Sequence, residues 1–305
     1  MANVIGVDLS ERLAGLAKEG GRSVVRVDAR RAPSSGVVWS ADGVVLTAHH
    51  NLETEEGIEV GLPDGRTVAA ELLGRDPATD LAALRVGETG LAVPAWADAG
   101  GLEVGHLLVG LTRPGRTVRA GLGLLARAAE GWRTPSGGKL DRYLEADLPL
   151  HPGFSGGLVL DLAGRAVGLA SAGLLRGAAM VVPLPTLRRV AEALLAHGRV
   201  RRGFLGIATF PIRLPVRVER QAGQPGGLML TNVEDGSPAA QAGLLLGDVL
   251  LSLGGDPVAH LSDLLPLLEE ERIGTALPAR VLRAGELKDL TVAIGARERR
   301  EGRGG

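Results

Sequence analysis

One short segment combines residue types that could carry out nucleophilic chemistry. It reads His151-Pro-Gly-Phe-Ser155-Gly-Gly157, so a serine stands in a glycine-rich stretch that leaves its hydroxyl unhindered. Gly153 permits a backbone conformation that turns its N–H inward, and with the N–H of Ser155 it could form a two-donor site for an oxyanion. Because a plain glycine-rich turn can have the same pattern, the interpretation needs partners elsewhere in the chain.

A nucleophilic serine needs a base and a group that orients the base. Upstream, the apolar run VLTAHH ends at His50, and the string GRDPATD ends at Asp80, at a loop-to-strand junction. These residues are the candidate base and acid. His49 is an alternative base, although its side chain should point to the opposite strand face. Asp76 is an alternative acid, although its Arg-Asp-Pro setting is typical of a turn.

The elements around these residues are mostly short strands. From residue 23, apolar β-type runs such as VVRV, GVVLTA and GLVLDL alternate with turn signals such as Ser-Ala-Asp-Gly and Pro-Asp-Gly. Strands without intervening helices predict an antiparallel sandwich or a pair of barrels. The predicted organisation is a helical segment over 1–22, a β-rich domain over 23–198, a basic linker over 199–203, a smaller α+β domain over 204–296, and a disordered tail over 297–305.

Composition excludes several classes of protein. The 34 Lys and Arg residues nearly cancel the 35 Asp and Glu residues, so a dedicated nucleic-acid binder is not expected. The absence of Cys rules out thiol catalysis and Cys-based zinc sites, and six scattered His give no case for a metal or any other cofactor. No membrane span and no signal peptide are visible, so we expect a cytoplasmic protein, or a periplasmic or extracellular one if a leader has been removed.

Several segments in a fixed order resemble one family. The strings SADGVVLTAHH, GRDPATDLAALRV, HPGFSGGLV, RRGFLGI and GSPAAQAGLLLGDVLLSLGG resemble the HtrA/Deg family of trypsin-like serine proteases with a C-terminal PDZ domain. The resemblance spans roughly residues 23–294. It implies a two-barrel, chymotrypsin-fold protease domain followed by a PDZ domain. It also implies an ATP-independent endopeptidase that cleaves unfolded or damaged proteins.

The resemblance assigns roles to single residues. It implies His50 as the base, Asp80 as the acid and Ser155 as the nucleophile, with Gly153 and Ser155 as the oxyanion donors. The predicted substrate pocket has an apolar character that favours small aliphatic residues, and it comprises Pro149, Leu169, Ala170, Ser171 and Val181.

The second domain should bind peptide C-termini. Phe204, Leu205, Gly206 and Ile207 resemble the PDZ loop whose backbone N–H groups receive a terminal carboxylate while the peptide adds as a strand. A helix over residues 260–272 would form the other wall of the groove. A small α+β domain without a peptide ligand remains the alternative.

Three positions depart from the family pattern. Phe154 stands where many members have Asn, Leu158 where Pro is common, and Asn51 where an apolar residue is common. These departures keep open a second hypothesis, a peptide-binding scaffold or holdase that has lost turnover. Residues 1–38 contain no Phe, Trp or Tyr. Many relatives form trimers through an N-terminal aromatic cluster, so a homo-oligomer is possible but a trimer is poorly supported.

Overall fold

The protein is described here by a computed structural model, which covers residues 2–29 and 32–296. The segment 297–305, for which the sequence predicts a disordered tail, lies outside the described residues. The chain divides between Val200 and Arg201 into two compact units. No helix in the described ranges is long and apolar enough to cross a bilayer.

The first unit begins with a helix and a six-stranded closed barrel. The helix is α1 (Ala2–Gly20). The barrel strands are β1 (Val24–Asp28), β2 (Ser34–Ser40), β3 (Val44–Ala48), β4 (Ile58–Gly61), β5 (Thr67–Asp76) and β6 (Leu81–Val86). They close in the order β1-β2-β3-β6-β5-β4, and every pair is antiparallel.

A second closed barrel follows, with a small hairpin beside it. Its strands are β7 (Leu107–Thr112), β8 (Arg119–Ala129), β11 (Tyr143–Ala146), β12 (Leu158–Asp161), β13 (Ala166–Ser171) and β14 (Ala179–Pro183). They close in the order β11-β14-β13-β12-β7-β8. The hairpin pairs β9 (Trp132–Arg133) with β10 (Lys139–Leu140).

The alternation of side chains explains why strands such as β3 are apolar on both faces. Val45 packs inside the first barrel, whereas the next residue, Leu46, packs in the core between the barrels. On β13, Leu169 lies in that inter-barrel core and Ala170 lies inside the second barrel. Successive side chains of a strand point to opposite faces, so a continuous apolar run supplies two cores at once.

Helix α2 (Leu184–His197) follows β14 and packs against strands of both barrels. Pro185 stands in its first turn, where a missing N–H costs nothing. Gly198 ends the helix in the left-handed conformation, with its N–H on the carbonyl of Leu194. The apolar spacing predicts one side formed by Leu187, Val190, Leu194 and Leu195; the first three are buried, whereas Leu195 is exposed.

The second unit is a small α+β domain. Its strands are β15 (Gly203–Phe204), β16 (Ile207–Arg213), β17 (Gly226–Val233), β18 (Val249–Leu253), β19 (Asp256–Pro257), β20 (Ala276–Arg283), β21 (Glu286–Ala293) and β22 (Gly295–Ala296). Its helices are α3 (Val216–Ala222), α4 (Pro238–Gln241) and α5 (Leu261–Leu264). The main sheet has the order β16-β17-β18-β20-β21, and β15 pairs with β22.

The predicted helix over 260–272 is shorter than expected. Only Leu261–Leu264 is α-helical, and 3-10 turns follow at Leu265–Leu268 and Glu270–Arg272. Pro266 has no N–H to donate to the carbonyl of Ser262, four residues earlier, so the α-helical hydrogen-bond pattern is interrupted here.

Candidate active site

The predicted base and acid are in direct contact. The Nδ1 atom of His50 lies 2.8 Å from Oδ2 and 2.9 Å from Oδ1 of Asp80. The backbone N–H of His50 also donates to Oδ1 at 3.0 Å. The Asp80 side chain is 5% exposed and that of His50 is 34% exposed. The carboxylate is therefore placed to fix the tautomer with the proton on Nδ1, which leaves Nε2 free to accept a proton.

The turn before the acid holds Asp80 in an uncommon backbone conformation. Its φ is +56°, a region that residues other than glycine rarely adopt. Within the turn, the hydroxyl of Thr79 donates to Asp76 at 2.7 Å. From the β9–β10 hairpin, the hydroxyl of Thr134 donates to the carbonyl of Ala78 at 2.7 Å. Asp76 thus stabilises the turn, as its sequence setting indicates.

A third side chain, which the sequence assigns to the substrate pocket, also binds the acid. The hydroxyl of Ser171 donates to Oδ2 of Asp80 at 2.5 Å and accepts from the N–H groups of Gly173 and Leu174. Ser171 is fully buried at the end of β13. Its hydroxyl is therefore directed at the carboxylate, and no local sequence signal distinguishes this contact from that of a pocket wall.

The predicted nucleophile lies on a tight turn between the second and first barrels. We call residues 151–157 the Ser155 loop. Gly153 and Gly156 have φ values of +81° and +83°. A Cβ atom on Gly156 would lie 1.9 Å from the carbonyl oxygen of Ser35, on β2. Only glycine fits this position, because the turn needs both the positive φ and the close approach to the first barrel.

Two N–H groups of the Ser155 loop have no protein acceptor. Among the described residues, the N–H groups of Gly153 and Ser155 donate no hydrogen bond, whereas those of Phe154 and Gly156 donate to the carbonyls of His151 and Ala170. Buried backbone donors are normally paired, so two unpaired donors beside a serine hydroxyl are available to an oxyanion.

The serine hydroxyl is not hydrogen-bonded to the imidazole. Its Oγ accepts from the N–H of Ala172 at 3.0 Å, and no hydrogen bond joins it to the ring of His50. The adjacent residue, Ser171, binds Asp80, and a Cβ atom on Gly173 would lie 2.5 Å from Nδ1 of His50. The segment from Ser171 to Gly173 thus contacts all three predicted members of the triad.

The alternative base is not in contact with the carboxylate. The ring that hydrogen-bonds Asp80 is that of His50, whereas the buried Nδ1 atom of His49 has no partner among the described residues. Burial, with a smaller contribution from the positive charge of Arg75, lowers the pKa of His49. His151 bonds the carbonyl of Pro152 through Nδ1 and packs edge-on against Phe154.

The residues predicted for the pocket lie in different surroundings. Pro149 is exposed and lies over Gly121. Ala170 and Val181 are buried inside the second barrel together with Phe154. Leu169 is fully buried in the inter-barrel core, because alternate residues of β13 face opposite sides. The pocket therefore stays a prediction.

The second unit contains a separate backbone site. We call residues 204–207 the Phe204 loop. Its Gly206 has a φ of +80°, and a Cβ atom there would lie 2.2 Å from that of Ser237. Among the described residues, the N–H groups of Leu205 and Gly206 donate no hydrogen bond. The loop leads into β16, which pairs only with β17 in the described sheet and so has one open edge.

Comparisons with protein families agree with this organisation. The profile described as "Trypsin-like peptidase domain" matches residues 34–169. The profile described as "PDZ domain" matches residues 203–294. The two matches fall in the first and second units.

Curated relatives carry names of one kind. A "Probable periplasmic serine endoprotease DegP-like" of Pseudomonas fluorescens is 31% identical over 270 residues, which are 86% of this chain and 56% of the relative. A protein of the same name from Ectopseudomonas mendocina is 32% identical over 269 residues, with the same two shares. The chain thus spans little more than half the length of these relatives. Their periplasmic names contradict the cytoplasmic location expected from the sequence, and that expectation is wrong.

Similar solved structures cover nearly the whole chain. The serine endoprotease from Yersinia pestis is 26% identical, with a TM-score of 0.74 over 94% of this chain and 98% of its own. The "HtrA-type protease AlgW with tripeptide" is also 26% identical, with a TM-score of 0.74 over 95% and 99% of the two chains. With the two domain matches, these similarities place the chain in the HtrA/Deg family of trypsin-like serine proteases with a C-terminal PDZ domain.

Proposed function

We propose that this protein is an ATP-independent serine endopeptidase in which His50, Asp80 and Ser155 form the catalytic triad. The observation that carries the proposal is the contact of both Asp80 carboxylate oxygens with Nδ1 of His50, next to a serine whose loop offers two unpaired N–H donors. The names of the relatives and of the structural neighbours support the same activity.

The proposed reaction begins with a rotation of the Ser155 side chain. Turning about its Cα–Cβ bond releases Oγ from the N–H of Ala172 and directs it to Nε2 of His50. As Oγ bonds to the carbonyl carbon of the substrate, its proton passes to Nε2 and the carbonyl electron pair moves to the oxygen. The N–H groups of Gly153 and Ser155 receive that oxyanion, while Asp80 stabilises the imidazolium.

The acyl-enzyme then forms and is hydrolysed by the same groups. Collapse of the tetrahedral intermediate breaks the C–N bond, and the imidazolium of His50 gives its proton to the leaving amine. A water molecule attacks the ester carbon and passes a proton to Nε2. The second collapse breaks the bond to Oγ, which recovers its proton. The products are a new carboxylate and a new amine, and the enzyme returns to its starting state.

We propose that cleavage follows small aliphatic residues such as Val, Ala or Leu. None of the five residues predicted for the pocket supplies a carboxylate that would attract Lys or Arg. Small aliphatic residues are mostly buried in folded proteins, so unfolded or damaged chains would present them. Paired peptides that differ only by Val or Lys before the cleaved bond test this preference, and faster cleavage of the Lys peptide would contradict it.

The second unit is proposed to bind peptide C-termini. The free N–H groups of Leu205 and Gly206 are available to a terminal carboxylate, and the open edge of β16 is available to an added strand. The names of the neighbours that were solved with peptides agree with such binding. We also propose the periplasm as the compartment, on the names of the relatives.

The decisive experiment labels the enzyme with a serine-directed fluorophosphonate and follows the digestion of casein. Wild type should be labelled on Ser155 and should digest casein, whereas Ser155→Ala should do neither and should retain the folded state by circular dichroism. A folded wild type that is neither labelled nor active would overturn the proposal.

One observation favours a second candidate, a peptide-binding scaffold without turnover. It is the hydrogen bond from the N–H of Ala172 to Oγ of Ser155, which leaves the hydroxyl unbonded to His50. This candidate requires that peptide binding is the same in wild type and Ser155→Ala, and that neither reacts with the fluorophosphonate. The labelling experiment therefore separates the two functions.

A further inference from the structure

A buried amide beside the proposed base contacts the proposed nucleophile. Asn51 follows His50 directly and is fully buried. Its Nδ2 atom donates to the carbonyl oxygen of Ser155 at 3.0 Å and to the hydroxyl of Thr47 at 3.3 Å. One side chain of the first barrel thus holds the backbone of the Ser155 loop.

The orientation of this amide is fixed by its surroundings. The carbonyl of Ser155 can only accept a hydrogen bond, and the hydroxyl of Thr47 already donates its proton to the carbonyl of Ser35 at 2.7 Å. An inverted amide would therefore place Oδ1 of Asn51 against two acceptors.

The same amide carries a cost that an apolar residue would avoid. Its Oδ1 atom is buried and has no partner among the described residues. A buried polar atom without a partner destabilises the folded state. Because Asn51 makes its bond to Ser155 in spite of this cost, its contribution is to position the loop rather than to fill the core.

A second side chain of the first barrel acts on the same loop. The hydroxyl of Ser35 donates to the carbonyl of Gly153 at 2.7 Å and accepts from the N–H of Arg113 at 2.9 Å. Between the two held carbonyls, the ring of Phe154 is only 3% exposed and packs inside the second barrel. Three successive residues of the loop are therefore anchored: Gly153 by its carbonyl, Phe154 by its side chain and Ser155 by its carbonyl.

These contacts fix the two peptide groups that flank the Ser155 N–H. The group between Gly153 and Phe154 is bonded at its oxygen to Ser35 and at its nitrogen to the carbonyl of His151. The group between Ser155 and Gly156 is bonded at its oxygen to Asn51 and at its nitrogen to the carbonyl of Ala170. The one peptide group between them bears the N–H of Ser155, so its plane has little freedom to rotate.

We infer that Asn51 and Ser35 are positioning residues that hold the Ser155 loop and its oxyanion donors in place. The inference rests on the proposed function, because it assigns a purpose to the N–H groups of Gly153 and Ser155. Neither residue touches the reacting atoms in this arrangement, and both act through the loop backbone. Both anchors belong to the peptidase unit.

The test compares Asn51→Val, Ser35→Ala and Leu52→Val by the second-order rate constant of fluorophosphonate labelling. Leu52 is the matched control, because it is buried in the first barrel beside Asn51 and makes no hydrogen bond to the Ser155 loop. We expect labelling to slow by about 10- to 100-fold in Asn51→Val and in Ser35→Ala, as for a misplaced oxyanion donor, and by less than about twofold in Leu52→Val.

A second readout separates positioning from a general loss of structure. On a peptide substrate, kcat should fall in Asn51→Val while KM changes by less than about threefold, since the interaction matters most in the transition state. The pH profile of kcat/KM should keep its midpoint, because the contacts between His50 and Asp80 are unchanged. Thermal melting shows whether each variant folds. If Asn51→Val does not fold, the labelling rate of Ser35→Ala alone tests the positioning role.

The outcomes separate the positioning role from the proposed function. Labelling of wild type together with undiminished labelling of folded Asn51→Val and Ser35→Ala would overturn the positioning role and leave the proposed function intact. A wild type that is not labelled at all would overturn the proposed function and the positioning role together.

Discussion

The Ser155 loop and the Phe204 loop present the same kind of donor but are held in different ways. Each offers two unpaired backbone N–H groups next to a glycine of positive φ. The Ser155 loop is anchored by side chains of the first barrel, those of Ser35 and Asn51. The Phe204 loop is anchored by backbone, with the N–H groups of Ala239 and Glu234 on the carbonyls of Leu205 and Gly206.

The difference matches the charge that each loop is proposed to receive. An oxyanion exists only in the transition state and the intermediate, so its donors must be in position beforehand and excess motion raises the barrier. A peptide carboxylate is a stable ligand whose strand also gains hydrogen bonds along an open sheet edge. The loop proposed for catalysis is therefore held by side chains, whereas the loop proposed for peptide binding is held by backbone hydrogen bonds and leads into an open sheet edge.

The largest expected effect is a loss of catalysis in the first unit without a loss of peptide binding in the second. In Asp80→Asn, an amide nitrogen facing Nδ1 of His50 would favour the tautomer with its proton on Nε2, which cannot accept the serine proton. We expect kcat to fall about 10⁴-fold. Casein digestion measures the loss, and peptide affinity of the PDZ domain, measured by fluorescence anisotropy, should not change. An active Asp80→Asn would remove Asp80 from the triad.

The second substitution, Gly156→Ala, tests the close approach of the Ser155 loop to the first barrel. In Gly156→Ala, the new methyl group would meet the carbonyl of Ser35, at a φ that disfavours alanine. Displacement of the loop should slow fluorophosphonate labelling by about 10²- to 10³-fold, the loss seen when one oxyanion donor is removed. Gly177→Ala is the control, because its φ is +80° but no atom lies within 4 Å of the new methyl group. Equal losses in both variants would mean that φ strain alone is responsible.

Much of this site could be predicted from sequence because it depends on residue types in a fixed chain order. His50, Asp80 and Ser155 each follow or precede a recognisable strand, and the geometry brings His50 and Asp80 together. The many short apolar strands with turn signals between them predict an antiparallel sandwich or a pair of barrels, and the resemblance to the HtrA/Deg family implies the two-barrel fold. These features are local, so a single sequence contains them.

The contacts that the sequence did not predict all join distant segments. Asn51 meets a carbonyl 104 positions later, and Ser171 meets Asp80 across 91 positions. Neither contact leaves a periodic or spacing signal, because which strand end faces which loop is set by barrel closure. For the same reason the sequence did not show which core Leu169 and Ala170 each face, since the face of β13 depends on its register.

The third prediction tests the Phe204 loop by the same kind of substitution. In Gly206→Ala, the methyl group would clash with Ser237, and the strain of a positive φ adds to the clash. We expect the affinity for a peptide with a free C-terminus to fall by roughly two orders of magnitude, because strain of this kind costs about 1–3 kcal/mol and misplaces the N–H donors. Gly274→Ala, at a φ of +85° with no atom within 4 Å, is the control.

The readouts of this third prediction are anisotropy of a labelled peptide and the labelling rate of Ser155. A C-terminally amidated peptide should bind weakly to wild type and to Gly206→Ala alike. The labelling rate should be the same in wild type and variant, because the Ser155 loop is anchored within its own unit. Unchanged peptide affinity in a folded Gly206→Ala would show that the carboxylate binds elsewhere.

The smallest expected effect concerns how the PDZ domain is held together. Asp248 is almost fully buried and bonds Arg283 through two contacts of 2.7 Å, while the N–H of Leu245 donates to it at 2.9 Å. Burial raises its pKa, but the hydrogen bonds from Arg283 and Leu245 outweigh burial, and the net pKa of Asp248 lies below its usual value. The carboxylate therefore stabilises the folded state when it is ionised.

The sign of the pH dependence follows from that lowered pKa. The contribution of Asp248 is fully present above the pKa of an unfolded aspartate, about 3.9, and is lost as the pH falls through its lower folded-state pKa. Asp248→Asn should cost about 1.5 kcal/mol of unfolding free energy at pH 7 and should flatten the loss of stability below pH 4. Asp289→Asn breaks an exposed pair with Arg280 and should leave the melting midpoint unchanged. An equal shift of the melting midpoint in the two variants would mean that burial adds nothing to the pair of Asp248 and Arg283. The second unit, unlike the first, would then not depend on buried polar contacts.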